Sequence, residues 1–547
     1  MKKLLLVFQF SNPDNRRFLL ALIFTLFMYV VEHFVSSQQG YFLFLIERRQ
    51  GIEPVTGLLT TAMIFLAFTL FTWFSFYLPL WGRFIWAVLL SIATIVQYGY
   101  WKAFHRFISE IDLDTVLTAP PRMWNDAATI FLNAVALLPI GAYAICAILS
   151  GKQKLSRTRW LLFPIALMLW GTVLISQSNG WLTNPGLSGF QFYQTITQWV
   201  LSSSRHITRQ TVEPIQQSLP VNNLIFIIDE SIRGDHLQIN GYERSTTPYL
   251  DSLSNDGYMY NWGIAVAGGT CSQIANSLLI TGVQIVDDIS TVKKQTIEYP
   301  TVFHFAKAAG YTTYYLDAQT DYLWNGLTFN DLAYIDNWLN IHQMGTDVYA
   351  DMRAADIIRD ILDISTGNFI VLNKRGVHFL YEHSYPPEAT LWGPVPIDYL
   401  KEPDLVKNPY DNGIRFNVDE FFRRLLPDPQ RQLQHTVILY TSDHAQTLFE
   451  EGATWLHCNF THAEASVPLL ILGKLSARPD TTYPASHSNI LPTLLELMSI
   501  PSAPRQQNYA LSLLKASIKD RQNRCFISGN MQVIRYDSEK NCGTPLP

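Results

Sequence analysis

The segment VNNLIFIIDESIRGDHLQINGYERSTTPYL, residues 221–250, decides the fold of the carboxyl-terminal part of this chain. Its first eight residues are largely apolar, which predicts a buried strand. Asp229 and Glu230 follow at the carboxyl end of that strand. Open α/β sheets bind ligands outside the carboxyl ends of their strands, and two adjacent carboxylates there indicate a site for a metal ion. The alternative interpretation is a helix N-terminus whose dipole the acids complement.

Short apolar segments alternate with helical patterns from residue 221 onward. Strands are predicted at 221–228, 312–317, 368–373, 435–441 and 467–472. Helices are predicted at 272–280, 301–309, 350–363, 412–426 and 488–499. This alternation predicts an α/β domain with a mainly parallel sheet and helices on both faces.

A second pair of metal-binding side chains follows a second predicted strand. Asp443 and His444 come directly after the strand at 435–441. One carboxylate oxygen and one imidazole are a ligand mixture suited to zinc. An Asp-His pair is common by chance, but its place at a strand's carboxyl end favours a shared site with Glu230.

The segment AVAGGTCSQIANSLLITG, residues 265–282, contains the predicted nucleophile. Two glycines lead into Thr270, which is interpreted as the opening of a helix. Glycine permits close backbone approach, and a helix N-terminus stabilises an anion. Thr270 is therefore predicted to act as a metal-activated alkoxide that attacks phosphorus or sulfur. An ordinary N-cap threonine is the alternative.

Two histidines complete the predicted site. His378 and His457 follow strand-like segments, and either could bind a second metal or protonate a leaving oxygen. The competing histidines are interpreted as surface or structural residues: His236, His383 and His462.

The first third of the chain is predicted to be membrane-embedded. Five apolar segments approach or reach the roughly 20 residues that cross a bilayer as a helix: about 18–36, 56–80, 84–101, 128–149 and 160–176. Lys and Arg favour the loops on the amino-terminal side, which places that side in the cytoplasm and everything after residue 180 outside. The formal net charge of −5 gives no indication of nucleic-acid binding.

The predicted organisation has three parts. Residues 1–179 form a multi-pass α-helical membrane domain with five spans. Residues 180–220, with aromatic side chains followed by a Ser-Arg-rich stretch, form an interfacial amphipathic connector. Residues 221–547 form the outer α/β domain.

Together these residues resemble the membrane-anchored phosphoethanolamine transferases, which belong to the alkaline phosphatase and sulfatase superfamily. The strongest segment is Asp229–Pro248, which reads E-x-x-R-x-D-H-x-x-x-N-G-Y-E-R-x-T-T-P. Further matches are Gly269-Thr270, Asp317-Ala318-Gln319, Gly376–His378 with Tyr385-Pro386, Tyr410-Asp411-Asn412, Thr441–His444 and Leu456-His457.

The resemblance implies a sulfatase-like catalytic domain in the periplasm, anchored in the bacterial inner membrane. It implies a zinc site formed by Glu230, Thr270, Asp443 and His444, with His378 and His457 binding substrate phosphate or a second zinc. Thr270 would take phosphoethanolamine from phosphatidylethanolamine and pass it to an envelope acceptor, with lipid A or another lipopolysaccharide or glycan as the expected target. The expected enzyme is a monomer.

One departure from the family pattern bears on the metal site. The family continues its Asp-His with Gly-Glu, whereas Ala445 and Gln446 stand here. The expectation is that a carboxylate supporting the metal ligands is missing.

Three other functions remain as alternatives. A glycerol-phosphate transferase would share the five spans and the threonine nucleophile. A sulfatase would need the pattern C-x-P-x-R, but the segment from Cys271 to Ala275 lacks both Pro and Arg. A catalytically dead, lipid-sensing relative would be expected to have lost metal ligands.

Four of the five cysteines lie in the predicted outer part, where an oxidising compartment permits disulfides. Cys525 and Cys542 bracket a short terminal segment and are expected to pair. Cys271 and Cys458 adjoin Thr270 and His457 and form a second candidate pair, although sequence leaves the connectivity open.

Overall fold

The computed structural model describes residues 13–36, 53–104, 137–151, 163–169, 209–215, 219–321, 325–397, 401–450, 458–500, 509–529 and 531–537, with a few isolated positions between these ranges. The chain divides into two compact units, residues 1–206 and residues 207–547. The three-part organisation with boundaries after residues 179 and 220 stays a prediction.

The amino-terminal unit is helical wherever it is described at length. Its helices are α1 (Pro13–Ser36), α2 (Glu53–Ser75), α3 (Leu80–Phe104) and α4 (Leu137–Leu149). Interhelical hydrogen bonds join Thr69 to Thr25 at 3.0 Å and Tyr143 to Ser75 at 2.8 Å. Such bonds satisfy hydroxyl groups that an apolar surrounding would otherwise leave unpaired.

One described helical segment, Leu80–Gly99, is long and apolar enough to cross a bilayer, and two shorter apolar segments are Ala62–Ser75 and Leu138–Leu149. The first three predicted spans coincide with α1, α2 and α3. The spans predicted at 128–149 and 160–176 fall partly outside the described residues. The number of five spans therefore stays a prediction.

The carboxyl-terminal unit is built on a seven-stranded sheet, which confirms the predicted α/β class. In chain order its strands are β1 (Asn223–Asp229), β2 (Met259–Val266), β3 (Thr312–Asp317), β4 (Asn337–Leu339), β5 (Asn368–Asn373), β6 (Thr436–Ser442) and β7 (Ser466–Leu472). The order across the sheet is β2-β7-β6-β1-β5-β3-β4. A separate hairpin pairs β8 (Cys525–Ile527) with β9 (Val533–Arg535).

Strand β1 lies in the middle of the sheet, and its alternate side chains enter two different cores. Leu224, Phe226 and Ile228 pack into one apolar cluster, and Ile225 and Ile227 pack into the cluster on the opposite face. A strand that is buried on both faces reads as a continuous apolar run. This is why the sequence of β1 identified it as a strand.

Helices cover both faces, as predicted. They are α5 (Pro248–Asn255), α6 (Ser272–Thr281), α7 (Ile289–Glu298), α8 (Val302–Ala308), α9 (Ile341–Met344), α10 (Ala350–Ile364), α11 (Lys407–Ile414), α12 (Phe421–Leu425), α13 (Pro429–Gln432), α14 (His462–Ala465) and α15 (Ile490–Leu497). The single helix predicted at 412–426 is interrupted by a π-helical turn at Arg415–Glu420.

The sequence missed the antiparallel edge of the sheet. Strand β7 runs antiparallel to β6, and β2 runs antiparallel to β7. β2 was not predicted because its pattern is broken by a register shift between Asn261 and Ile264, where Gly263 has a φ of 70°. A bulge of this kind destroys the alternation that identifies a strand from sequence.

The parallel strands bring their carboxyl ends to one edge. Ile228 of β1 pairs with Thr441 of β6 and with Asn373 of β5, and Asp317 of β3 pairs with Asn373. Residues that directly follow these strands therefore meet at the same edge of the sheet. The polar side chains that could bind a metal ion or take part in a reaction lie at this edge.

Candidate functional site

Three side chains from two neighbouring strand ends form a candidate metal centre. Glu230 follows β1, and Asp443 and His444 follow β6; each offers a ligand atom, and these atoms lie within 4.8 Å of one another. All three residues are buried. The structure thus brings together three of the four predicted ligands.

The electrostatics of this group favour a bound cation. Burial and the nearby charge of Glu230 raise the pKa of Asp443 to about 7. Burial alone would raise the pKa of Glu230, but the charges of His444 and His378 and the hydrogen bond from Ser231 outweigh it, so this pKa is lowered. Two buried carboxylates at this distance repel each other unless a positive charge lies between them.

The two carboxylate oxygens of Asp443 have different surroundings. Its Oδ1 accepts hydrogen bonds from the backbone N–H groups of Ser231 and His444. Its Oδ2 is buried and has no hydrogen-bond partner among the described residues. Buried acceptors are normally satisfied, so Oδ2 is placed as a metal ligand would be. Two carboxylates and an imidazole fit zinc.

A hydroxyl group at the start of α6 completes the cluster. Ser272 Oγ lies 3.0 Å from His444 Nε2 and donates to Glu230 Oε2 at 3.3 Å. Ser272 is the first residue of α6, where free backbone N–H groups and the helix dipole favour negative charge. A nucleophilic oxygen that becomes negatively charged during reaction is stabilised at this position.

Thr270, the predicted nucleophile, has different contacts. Its Oγ1 donates to the carbonyl of Asn459 at 2.8 Å, and its backbone carbonyl accepts from the N–H of Cys458 at 3.0 Å. Its backbone N–H donates to Ile527. The hydroxyl that contacts both Glu230 and His444 belongs to Ser272, two residues further on. Of the two hydroxyls, that of Ser272 is therefore the one in contact with the candidate metal centre, and Thr270 as the nucleophile stays a prediction.

The sequence contained a signal that could have identified Ser272. The predicted helix at 272–280 already began at this residue, while the interpretation of the glycines placed the helix start at Thr270. The two predictions were inconsistent by two residues. Because the chain passes through an extended Cys271 before the helix, only the later hydroxyl lies at the helix N-terminus.

The structure describes only one of the two histidines that are predicted to belong to the site. His378 is exposed, its Nδ1 donates to the carbonyl of Phe379 at 2.7 Å, and its charge acts on Glu230. It therefore lies near the metal centre with its ring at the surface. His457 lies outside the described residues, and Cys458 is the next residue that the structure describes. Of the competing histidines, His236 is buried and paired with Asp411 at 2.7 Å, which fits its predicted structural role.

Two glutamines that the sequence analysis did not assign also support Glu230. Gln319, at the end of β3, donates from Nε2 to Glu230 Oε2 at 3.1 Å. Gln446 donates from Nε2 to Ser231 Oγ at 2.7 Å, and Ser231 in turn donates to Glu230. The expected gap at position 446 is thus filled by an amide that supports the site through a serine.

A buried lysine lies behind the metal centre. Lys374 Nζ, fully buried, bonds to Asp229 Oδ2 at 2.5 Å and donates to the carbonyl of Asn417 in the π-helical turn. Asp229 Oδ1 accepts from the N–H of Glu230 at 2.9 Å. Burial raises the pKa of Asp229 to about 6, although Lys374 opposes the rise. This ion pair fixes the backbone just before Glu230, the first residue of the candidate metal centre.

Both candidate disulfides are present, which confirms the predicted pairing. Cys271 is bonded to Cys458, and Cys525 is bonded to Cys542. The first bond joins the residue before Ser272 to a residue 187 positions away. Together with the contacts of Thr270, it fixes the chain after residue 457 beside the start of α6.

Comparison with known proteins agrees with this fold. The sulfatase family model matches residues 222–500, just over half of the chain. The Kdo(2)-lipid A phosphoethanolamine 7''-transferase of Escherichia coli is 24% identical over 322 residues, which cover 57% of this chain and 50% of that enzyme. The chain therefore spans about half the length of this relative.

Two solved structures share the fold. The integral membrane lipooligosaccharide phosphoethanolamine transferase A from Neisseria meningitidis superposes with a TM-score of 0.60 at 16% identity, covering 88% of this chain and 95% of that one. The zinc complex of the carboxyl-terminal periplasmic domain of EcEptC from Escherichia coli superposes with a TM-score of 0.51 at 18% identity, covering 60% of this chain and 97% of that one. On the match of the family model, the chain belongs to the sulfatase family.

Proposed function

We propose that this chain is a zinc-dependent phosphoethanolamine transferase that carries the transferred group on Ser272. The observation that carries the proposal is the position of the Ser272 hydroxyl, at the N-terminus of α6 and in contact with both Glu230 and His444. A hydroxyl at a helix N-terminus beside a metal cluster is suited to attack phosphorus. The similarity to a phosphoethanolamine transferase supports the choice of group.

The zinc ion would be held by Glu230, Asp443 and His444, with the Ser272 oxygen in place of the Thr270 oxygen expected from sequence. Asp443 Oδ2 has no hydrogen-bond partner among the described residues and lies 3.6 Å from His444 Nε2, and this oxygen and the mixed oxygen and nitrogen donors support the assignment. When bound, zinc lowers the pKa of a hydroxyl ligand and offsets negative charge on phosphoryl oxygens.

The reaction would proceed in two transfers. Ser272 Oγ gives its proton to solvent water and bonds to the phosphorus of phosphatidylethanolamine, and the bond to the diacylglycerol oxygen breaks. That oxygen takes up a proton, for which the exposed His378 is the proposed donor and His457 the second one. An acceptor hydroxyl or phosphate of lipid A, or of another lipopolysaccharide or glycan, then takes the phosphoethanolamine and frees Ser272.

The membrane unit would bring the site to its lipid donor. Five spans would leave the amino terminus in the cytoplasm and the catalytic unit in the periplasm, on the outer side of the bacterial inner membrane. Confining donor and enzyme to one membrane removes much of the entropy cost of their encounter. We propose a monomer, because one chain supplies the whole metal cluster.

The disulfide weighs against a sulfatase activity at Cys271. Sulfatases convert a cysteine to formylglycine, and the sulfur of Cys271 is committed to Cys458. A glycerol-phosphate transferase remains the second candidate, since its nucleophile and metal would occupy the same positions. A catalytically dead, lipid-sensing relative would be identified by negligible zinc in the purified protein.

The test is the mass of the active-site peptide. The full chain is purified from membranes, and the peptide that contains Thr270 and Ser272 is fragmented to locate any adduct. A phosphoethanolamine on Ser272 that is absent from Ser272→Ala supports the proposal. A glycerol-phosphate adduct would move the chain to the second candidate, and an adduct on Thr270 would restore the original assignment of the nucleophile.

A further inference from the structure

Ser231 contacts two of the three residues of the candidate metal centre. Its Oγ donates to Glu230 Oε1 at 2.5 Å, and its backbone N–H donates to Asp443 Oδ1 at 3.2 Å. These bonds fix one oxygen on each carboxylate. Of the remaining oxygens, Glu230 Oε2 accepts from Ser272, and Asp443 Oδ2 lies 3.6 Å from His444 Nε2 without a hydrogen-bond partner among the described residues.

The backbone of Ser231 has a conformation that would suit glycine. Its φ is 66°, in the left-handed region that side chains with a Cβ rarely adopt. Tyr410 holds this turn from outside, because its hydroxyl donates to the carbonyl of Ser231 at 2.7 Å and accepts from the N–H of Arg233 at 2.8 Å. A serine kept where glycine would be less strained indicates that its side chain is needed.

Gln446 determines the direction in which the Ser231 hydroxyl donates. Gln446 is fully buried and donates from Nε2 to Ser231 Oγ at 2.7 Å. A serine hydroxyl has a single proton, and the oxygen already accepts from Gln446. The proton is therefore directed to Glu230 Oε1. The two hydrogen bonds form a relay in which Gln446 donates to Ser231 and Ser231 donates to Glu230.

We propose that Ser231 is a positioning residue for the metal centre and that Gln446 acts on the metal only through Ser231. The inference rests on the metal-dependent transferase proposed above and adds the residues that set its metal affinity. Groups that orient metal ligands typically change affinity or activity by about tenfold to a hundredfold when they are removed. In this chain the neutral amide of Gln446 would do this without adding negative charge.

The test measures zinc affinity of the full chain in detergent, by competition with a chelator. Ser231→Ala and Gln446→Met are each expected to raise the zinc dissociation constant about tenfold or more. The double variant is expected to lose no more than the more severe single variant, because Gln446 has no route to Glu230 once the hydroxyl is gone. Losses that multiply in the double variant would overturn the relay.

Ser231→Gly separates the hydroxyl from the backbone strain. This variant lacks the hydroxyl, as Ser231→Ala does, but relaxes the left-handed turn. We expect it to lose zinc affinity as Ser231→Ala does while its metal-free form unfolds at the same temperature as Ser231→Ala or at a higher one. Equal zinc affinity in Ser231→Gly and the parent chain would overturn the positioning role.

A matched control and a spectrum exclude a general loss of structure. Ser466 is another buried serine, and its hydroxyl donates to the carbonyl of His462 at 2.7 Å; Ser466→Ala is expected to leave zinc affinity unchanged. In cobalt-substituted protein, Ser231→Ala is expected to shift the visible absorption bands that report ligand geometry. Bands identical to those of the parent chain would count against the inference.

The outcomes also distinguish this inference from the proposed function. If the parent chain binds zinc and the variants weaken it, but no phosphoethanolamine appears on Ser272, the positioning role stands and the transferase proposal fails. If transfer is observed while zinc affinity is the same in all variants, the transferase stands and the positioning role fails.

Discussion

The hydroxyl oxygen of Ser272 lies 3.0 Å from Nε2 of His444, although the two residues are 172 positions apart in the chain. The first residue of a helix and the residue after a strand meet here at the carboxyl edge of a parallel sheet. This contact, with the one between Ser272 and Glu230, places a hydroxyl group and the candidate metal ligands in a single site.

Replacing Ser272 should separate the nucleophile from its neighbour Thr270. Ser272→Ala is expected to lower kcat by about a thousandfold or more, since a missing nucleophile cannot be replaced by binding energy. Thr270→Val removes one hydrogen bond to Asn459 and is expected to cost about 1 kcal/mol of stability with much less effect on kcat. Initial rates and zinc content of both variants provide the comparison; the reverse ranking of rates would assign the chemistry to Thr270.

Removal of the metal should destabilise the carboxyl-terminal unit. Without a cation, the buried carboxylates of Glu230 and Asp443 repel each other, and zinc would remove this repulsion. The ligands are brought together only in the folded chain, so zinc is expected to bind the folded form and not the unfolded one. At a zinc concentration of about 100 times the dissociation constant, the gain is about 3 kcal/mol. Thermal unfolding across a zinc titration measures it. An Asp443→Asn chain should show little dependence on zinc, and the same zinc-dependent rise in that chain would disprove a site at this carboxylate.

The two disulfides should differ in their effect on stability. In the chain-entropy account, the bond across 187 residues contributes about 5 kcal/mol and the bond across 17 residues about 3 kcal/mol. Urea unfolding of Cys271→Ala/Cys458→Ala and of Cys525→Ala/Cys542→Ala tests this order. The first variant should also lose activity because the bond fixes the chain beside Ser272, whereas the second should keep it. Full activity of the first variant would contradict this role of the bond.

Gly376 should tolerate no side chain, because it lies against the backbone of Glu230. A Cβ there would approach the carbonyl oxygen of Glu230 to 2.5 Å and Asp229 Oδ1 to 2.6 Å, at a φ of 56°. Gly376→Ala is therefore expected to lower zinc affinity as well as stability. Gly310 has a φ of 91° and nothing within 4 Å of the corresponding Cβ. Gly310→Ala should cost only about 1 kcal/mol of strain, with zinc affinity intact; equal zinc affinity in both variants would contradict the prediction.

His304 should make stability depend on acid. Burial, against the opposing charge of Asp331 and with a smaller contribution from the charge of Arg209, lowers its pKa to about 4. The unfolded chain binds this proton near pH 6.5, so stability is full above that pH and is lost as the pH falls from about 6.5 to 4, by about 3 kcal/mol in all. Unfolding free energies of the parent chain and His304→Gln across this window test the prediction. The two curves should diverge as the pH falls, and parallel curves would disprove it.

The architecture was largely predictable because burial leaves a strong pattern. β1, β3, β5, β6 and β7 are short apolar runs flanked by polar residues, and each was found within two residues of its observed bounds. β2 was missed because Gly263 and the register shift break its pattern. The π-helical turn at Arg415–Glu420 was missed because its residues are compatible with an ordinary helix.

The residues of the candidate metal centre were predictable for a related reason. Glu230, Asp443 and His444 directly follow buried strands, and parallel strands place their carboxyl ends at one edge whatever the loops do. Gln319 and Gln446 follow strand ends as well, but glutamine is a common polar residue and nothing in its type indicates a supporting role. Their contribution depends on which atoms they reach.

The sequence by itself determined the α/β class, the edge of the sheet that carries the chemistry and three residues that cluster there, because hydrophobic burial and strand direction are encoded locally. Only the tertiary structure distinguished the surroundings of Thr270 from those of Ser272. The two hydroxyls are separated by the disulfide-bonded Cys271, and the path of the chain there turns one to Asn459 and the other to His444. The direction of each hydroxyl is set by contacts with residues between 172 and 189 positions away, which no local sequence pattern contains.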